Sequence, residues 1–106
     1  MKHVLAIIVL FLSLSVSAQQ NPAKKAQKFT DEMTKVLSLN KDESKAIYQI
    51  QLERFKENQA IQQEFADDPD MKKKKLKELS NKVFNQTKNV IGVERQKQWK
   101  EYKSKN

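Results

Sequence analysis

From Pro22 onward, apolar residues recur at helical spacing. Phe29, Met33, Val36 and Leu37 stand at i, i+4, i+7 and i+8, one face of a helix, and predict a first helix over about 23–38. The next start signal is Leu39-Asn40-Lys41-Asp42-Glu43. Asn40 is a good N-cap, and Glu43, three residues on, completes a capping box. Asp42 and Glu43 also put negative charge in the first turn, where the helix dipole favours it. No Gly or Pro follows until Pro69, so a second helix is expected from Lys41 to Phe65. Asp67-Asp68-Pro69-Asp70 then breaks the pattern, with Asp68 as cap and Pro69 at the first position of a third helix running to about Val90. Leu76, Leu79, Val83 and Val90 form its stripe, flanked by Phe84 and Ile91. Gly92 ends it, and a short fourth helix is expected over about Val93–Lys103, docked onto the bundle by Trp99 and Tyr102.

The second predicted helix is apolar around more of its circumference than a surface helix needs to be. At about 100° per residue, Ile47, Ile50, Ile61 and Phe65 make one stripe, and Tyr48, Leu52 and Phe55 make another roughly a third of a turn away. One partner helix covers one stripe. The other must meet a further helix, a second subunit or a client.

The first 18 residues have a different character. Lys2 and His3 precede an unbroken apolar run from Val4 to Leu12, and Val16-Ser17-Ala18 supplies small residues before Gln19. This is the pattern of a cleaved secretory signal peptide, with cleavage after Ala18 and a disordered leader over 19–23. Residues 24–103 form the expected domain and 104–106 a tail. Cleavage removes Lys2 and no acid, so the net charge of +8 becomes +7. It also removes the only His, in a chain that has no Cys. Disulfides, thiolate or imidazole metal sites and His- or Cys-based catalysis thereby lose their raw material. An enzyme is not expected, nor is a cofactor. Asp67, Asp68 and Asp70, with Glu78 in twelfth position from Asp67, partly match a Ca²⁺ loop. The required Gly is missing, Pro69 intervenes and the run Lys72–Lys75 lies between, so a capping loop is the reading.

Two start signals rhyme: Leu39-Asn40-Lys41-Asp42-Glu43 and Ile91-Gly92-Val93-Glu94-Arg95. Each is an aliphatic residue, a cap-competent residue and a helix start. The doubled motif, in a small, charged, exported helical chain, resembles the Spy/CpxP family, whose hallmark is a repeated Leu-Thr-x-x-Gln. Leu39, Asn40 and Glu43 keep the box chemistry. Ile91, Gly92 and Arg95 depart from it, because Gly has no side-chain oxygen and Arg cannot accept a bond. The resemblance covers most of residues 24–103. It implies four helices with a long antiparallel hairpin and short flanking helices, in a thin, curved, periplasmic homodimer. It further implies an ATP-independent chaperone for unfolded or misfolded envelope proteins, or a regulatory adaptor that binds a stress-sensor kinase or sigma-factor-linked partner.

Two constellations are candidates for that binding. The stripe of Tyr48, Leu52 and Phe55 would serve as core, dimer interface or client surface. The run Lys72, Lys73, Lys74 and Lys75 opposes the dipole at a helix start, so helix stability does not call for it. It would serve as a solvated face or as a patch attracting acidic clients, with weak contact to an anionic membrane surface a further expectation. Arginines are only Arg54 and Arg95, so sequence-specific nucleic-acid recognition is not expected.

Overall fold

The computed structural model describes residues 21–105, and among them the chain is helical throughout apart from short turns. The expected signal peptide, residues 1–18, lies outside the described residues. Three helices are present: α1 (Pro22–Leu37), α2 (Lys41–Glu64) and α3 (Pro69–Lys105).

The helix starts follow from local chemistry. The Asn21 side chain accepts hydrogen bonds from the backbone N–H groups of Ala23 (2.9 Å) and Lys24 (3.3 Å), with Pro22 in the first helical position. Residues 22 and 23, expected in the leader, therefore belong to α1. Asn-Pro is a cap followed by a residue whose fixed φ suits the first turn. Ser38 ends α1 in the left-handed region, and its N–H bonds to the Thr34 carbonyl. At α2 the capping box is complete: Asn40 Oδ1 accepts from Glu43 N–H at 2.8 Å, and Glu43 Oε1 accepts from Asn40 N–H at 3.0 Å. Asp68 caps α3 by accepting from Met71 N–H at 3.1 Å.

The expected count of four helices is corrected to three. Residues 93–103 continue α3 beyond a bend at Gly92, whose φ of 88° and ψ of 165° are not helical. A single residue makes the bend, with no intervening loop, because glycine alone adopts this region freely. The bend is sharp. Phe84 and Gln96 would stand about 18 Å apart along a straight helix, yet Gln96 Nε2 donates to the Phe84 carbonyl at 2.9 Å. Residues 69–91 form the first limb of α3 and 93–105 the second.

Packing resolves the two stripes of α2. The first limb of α3 runs antiparallel to α2: its start, at Lys75 and Leu79, lies beside Ala60 and Ile61, Lys82 pairs with Glu57, and its end, at Ile91, joins Leu39 and Ile47 in the core. α1 runs antiparallel to α2 on its other side, from the Thr34–Ser44 hydroxyl bond (2.7 Å) to Lys25, whose ammonium lies 5.7 Å from the centre of the Phe55 ring. The second limb crosses onto α1. There Trp99 meets Phe29 edge-on at 5.3 Å and stacks on Tyr102 at 5.4 Å, and Tyr102 Oη donates to Glu32 Oε2 at 2.8 Å. Trp99 and Tyr102 thus dock this segment as expected. The core is Met33, Leu37, Leu39, Ile47, Ile91 and Trp99. Ile47 is fully buried at its centre, a burial contributing about 1.5–3 kcal/mol.

Gly92 generates the first prediction. A Cβ there would meet nothing within 4 Å, so Gly92→Ala isolates the backbone conformation from packing. It should destabilise the fold by about 1–3 kcal/mol. Thermal melts by circular dichroism read the loss, and Trp99 fluorescence shows whether the second limb stays docked.

Candidate functional site

The two rhyming motifs meet in space. Leu39 and Ile91 are both buried in the core cluster. Four residues beyond each, Glu43 and Arg95 form a two-pronged ion pair, with Nη1 to Oε1 at 3.0 Å and a second bond from Nη2 to Oε2. Arg95 Nε also donates to the Ile91 carbonyl at 2.9 Å, a group at the bend itself. Arg95 therefore does not fill the reciprocal role of a capping box. It ties the bend in α3 to the start of α2, and Glu43 serves as cap partner and counter-ion at once. The hydrogen bonds from Arg95 and from Asn40 N–H hold the Glu43 carboxyl at about 2, against an ordinary 4.5.

The stripe of Tyr48, Leu52 and Phe55 faces α1. Tyr48 lines a groove with Thr30, Asp31 and Thr34 of that helix. Phe55 lies beneath Lys25 and against the Arg54 guanidinium, whose carbon is 4.9 Å from the ring centre. Leu52 lies between them on the same face and is half-buried. α1 thus covers this stripe in part, and all three side chains are half-buried.

The lysine run sits elsewhere. It opens α3 at the tip of the α2–α3 hairpin, beyond the reach of α1. Lys73 and Lys74 are exposed, and Lys75 pairs with Glu78 at 3.7 Å. Lys75 lines a cleft with Glu57, Ala60 and Ile61 of α2, whereas Phe55 faces α1 beneath Lys25, so the two constellations lie on different sides of α2.

A different surface combines apolar and basic side chains. Phe84 and Val93 flank the bend and are 53% and 59% exposed. With Trp99 and Gln96 they line an open groove of about 700 Å³, rimmed by Lys88, Lys97, Lys100 and Lys103. Two of the lysines lean over aromatic rings, Lys88 over Phe84 at 6.0 Å and Lys103 over Trp99 at 5.4 Å. No acidic residue lines the groove. Periodicity places Phe84 beside the core stripe. It is nevertheless exposed on the first limb, and the bend, whose direction the sequence does not encode in any spacing, brings Gln96 of the second limb up to its carbonyl.

The sequence profile of a family described as a domain of unknown function, DUF4890, matches residues 15–106. The chain belongs to the DUF4890 family. No curated protein matches the chain, and no solved structure does. For this DUF4890 member the motif residues are a structural clamp: Leu39 and Ile91 in the core, Asn40 as cap, Gly92 as bend, and the Glu43–Arg95 pair across them.

That clamp predicts an acid dependence. The carboxyl of Glu43 is held low in the folded protein, so its contribution is complete above pH 4.5 and is lost as pH falls through about 2. Melting temperature should fall over that window. Glu43→Gln should melt lower at neutral pH and show a flatter acid limb, checked by circular dichroism melts from pH 7 to pH 2.

Proposed function

We propose that this protein is an ATP-independent, chaperone-like binder of unfolded or misfolded envelope proteins, exported to the periplasm and akin in function to the Spy/CpxP proteins. The observation that carries the reading is the groove at the bend, where exposed Phe84 and Val93 lie within a ring of four lysines. Such a surface works without chemistry. Positive charge draws an acidic unfolded chain at long range, apolar contact retains it, and the small contact area lets it leave or fold. The export part of the proposal rests on residues 1–18, and the kinship on the paired motifs.

A second reading, a regulatory adaptor for one dedicated stress-sensor protein, is favoured by the confinement of the groove to one bend. Its size suits a short segment more than a long unfolded chain.

The two readings separate in one experiment. Purified protein is mixed with a chemically unfolded client in the absence of ATP, and light scattering is followed. A chaperone suppresses aggregation of several clients near stoichiometric amounts. Phe84→Ser combined with Val93→Ser should weaken suppression by roughly fivefold or more with helicity unchanged, since each removes an apolar contact. Leu52→Ser, in contrast, should lower helix stability, because Leu52 lies on the face toward α1. Absence of suppression with every client would sink the chaperone reading, and a single crosslinked partner would then establish the adaptor.

A further inference from the structure

Behind the groove lies a second, narrower cleft of about 280 Å³, where α1, α2 and both limbs of α3 meet. Phe29, Val83 and Trp99 give it apolar walls. Gln51, 1% exposed, and Thr87, 6% exposed, bring polar groups to it. Arg54 reaches in from α2.

The setting of Arg54 is unusual for a structural arginine. Its guanidinium carbon lies 5.6 Å from the centre of the Phe29 ring and 4.9 Å from that of Phe55. The N–H donors lie in the guanidinium plane, and Nη1 donates to Gln51 Oε1 at 2.7 Å. Among the described residues Arg54 makes no ion pair, whereas Arg95, the other arginine, is paired with Glu43. Burial also pulls the Arg54 pKa below its ordinary value. A desolvated cation without a counter-ion is costly. A simple clamp between α1 and α2 would account for the two rings. It would leave unexplained the open cleft beside the guanidinium and the choice of a neutral Gln51 where a glutamate would fit.

We propose that this cleft binds a carboxylate carried on an apolar chain, with Arg54 holding the carboxylate and Phe29, Val83 and Trp99 receiving the chain. Arginine suits this role because its planar fork matches a carboxylate with two parallel bonds. Phe84, Gln96 and Trp99 line both cleft and outer groove, so the lysine rim lies at the entrance and raises the local concentration of anions. The proposal does not depend on the chaperone reading, which concerns the outer groove alone.

Trp99 is the only tryptophan and lines the cleft, so its fluorescence in the full chain reports occupancy directly. Two probes distinguish the sources of such a carboxylate: decanoate below its micelle-forming concentration, and a short peptide ending in leucine with a free C-terminus. Decanol and the amidated peptide are the neutral matches. The expected result is a saturable change with at least one carboxylate probe and affinity at least about tenfold weaker for its neutral match, the loss typical of a charge-assisted hydrogen bond. A response to decanoate alone assigns a fatty-acid-like ligand, and a response to the peptide alone assigns a chain terminus. Arg54→Gln and Arg54→Lys should each lower affinity at least tenfold. Should Arg54→Gln fail to fold, Gln51→Glu decides, because it supplies an internal counter-ion that should compete with the ligand to the same extent. No saturable response to either probe, equal binding of the neutral matches, or unchanged affinity in Arg54→Lys and Gln51→Glu overturns the proposal.

Discussion

A single backbone conformation, that of Gly92, decides where Trp99 and Tyr102 go. Were the helix straight, Trp99 would stand about 10 Å past Gly92 along the axis and Tyr102 further still, clear of α1. The bend turns them onto Phe29 and Glu32 and closes the core around Ile47. Glycine makes the bend accessible; Arg95 makes it specific. One side chain binds the Ile91 carbonyl at the bend and, through the same guanidinium, the carboxylate that completes the cap of α2. The start of α2 and the angle of α3 are therefore one structural unit, built from residues more than fifty positions apart in the chain.

The electrostatics sort the two basic regions. At the hairpin tip, Lys72–Lys75 follow Asp67, Asp68 and Asp70, with Glu78 one turn on. Those acids largely balance the lysines within a Debye length, about 8 Å at physiological salt. The run therefore generates little field at a distance, and its charge also opposes the helix dipole. At the bend, Lys88, Lys97, Lys100 and Lys103 converge on a groove lined by no acid. Among the described residues, Lys103 is the one of the four in an ion pair, with Glu32 at 3.8 Å. Four lysines spread through the sequence thus converge on one apolar groove, which the four in succession do not.

Much of the fold was legible. Asn40, Glu43 and Asp68 announce their helix starts by local chemistry that needs no tertiary information, and the structure bears out each cap. The double stripe on α2 correctly signals a helix covered on two sides. Periodicity gives the face and never the identity of what covers it, so the partner of Tyr48, Leu52 and Phe55 could not be read as α1. Gly92 was legible as a break and illegible as an angle, because glycine permits many dihedral pairs and the tertiary contacts of Arg95 and Trp99 select among them. The same gap hid the groove and the cleft. Phe84 reads as a core flank, yet the packing of the first limb leaves it exposed, and Arg54 has no spacing relation to Phe29 or Thr87. The mismatched fifth residues of the motifs, Glu43 and Arg95, held a usable clue: opposite charges at equivalent positions of two rhyming segments are complementary.

The fold itself does not require Phe84. The residues that close the core are Met33, Leu37, Leu39, Ile47, Ile91 and Trp99, and the Phe84 carbonyl, not its ring, anchors Gln96. A polar side chain at position 84 would keep that backbone bond and present less apolar surface to water. Val93 is in the same position, exposed beside a glycine whose conformation its side chain does not support. Small domains have few apolar side chains to spend away from the core, since so much of their surface is already in contact with solvent. Two of them held outward, side by side, within a ring of lysines form a contiguous patch of the kind that marks interaction surfaces. The bend thus does two things with one glycine: it folds Trp99 inward to complete the core, and it brings Val93 and Gln96 of the second limb into one groove with the exposed Phe84.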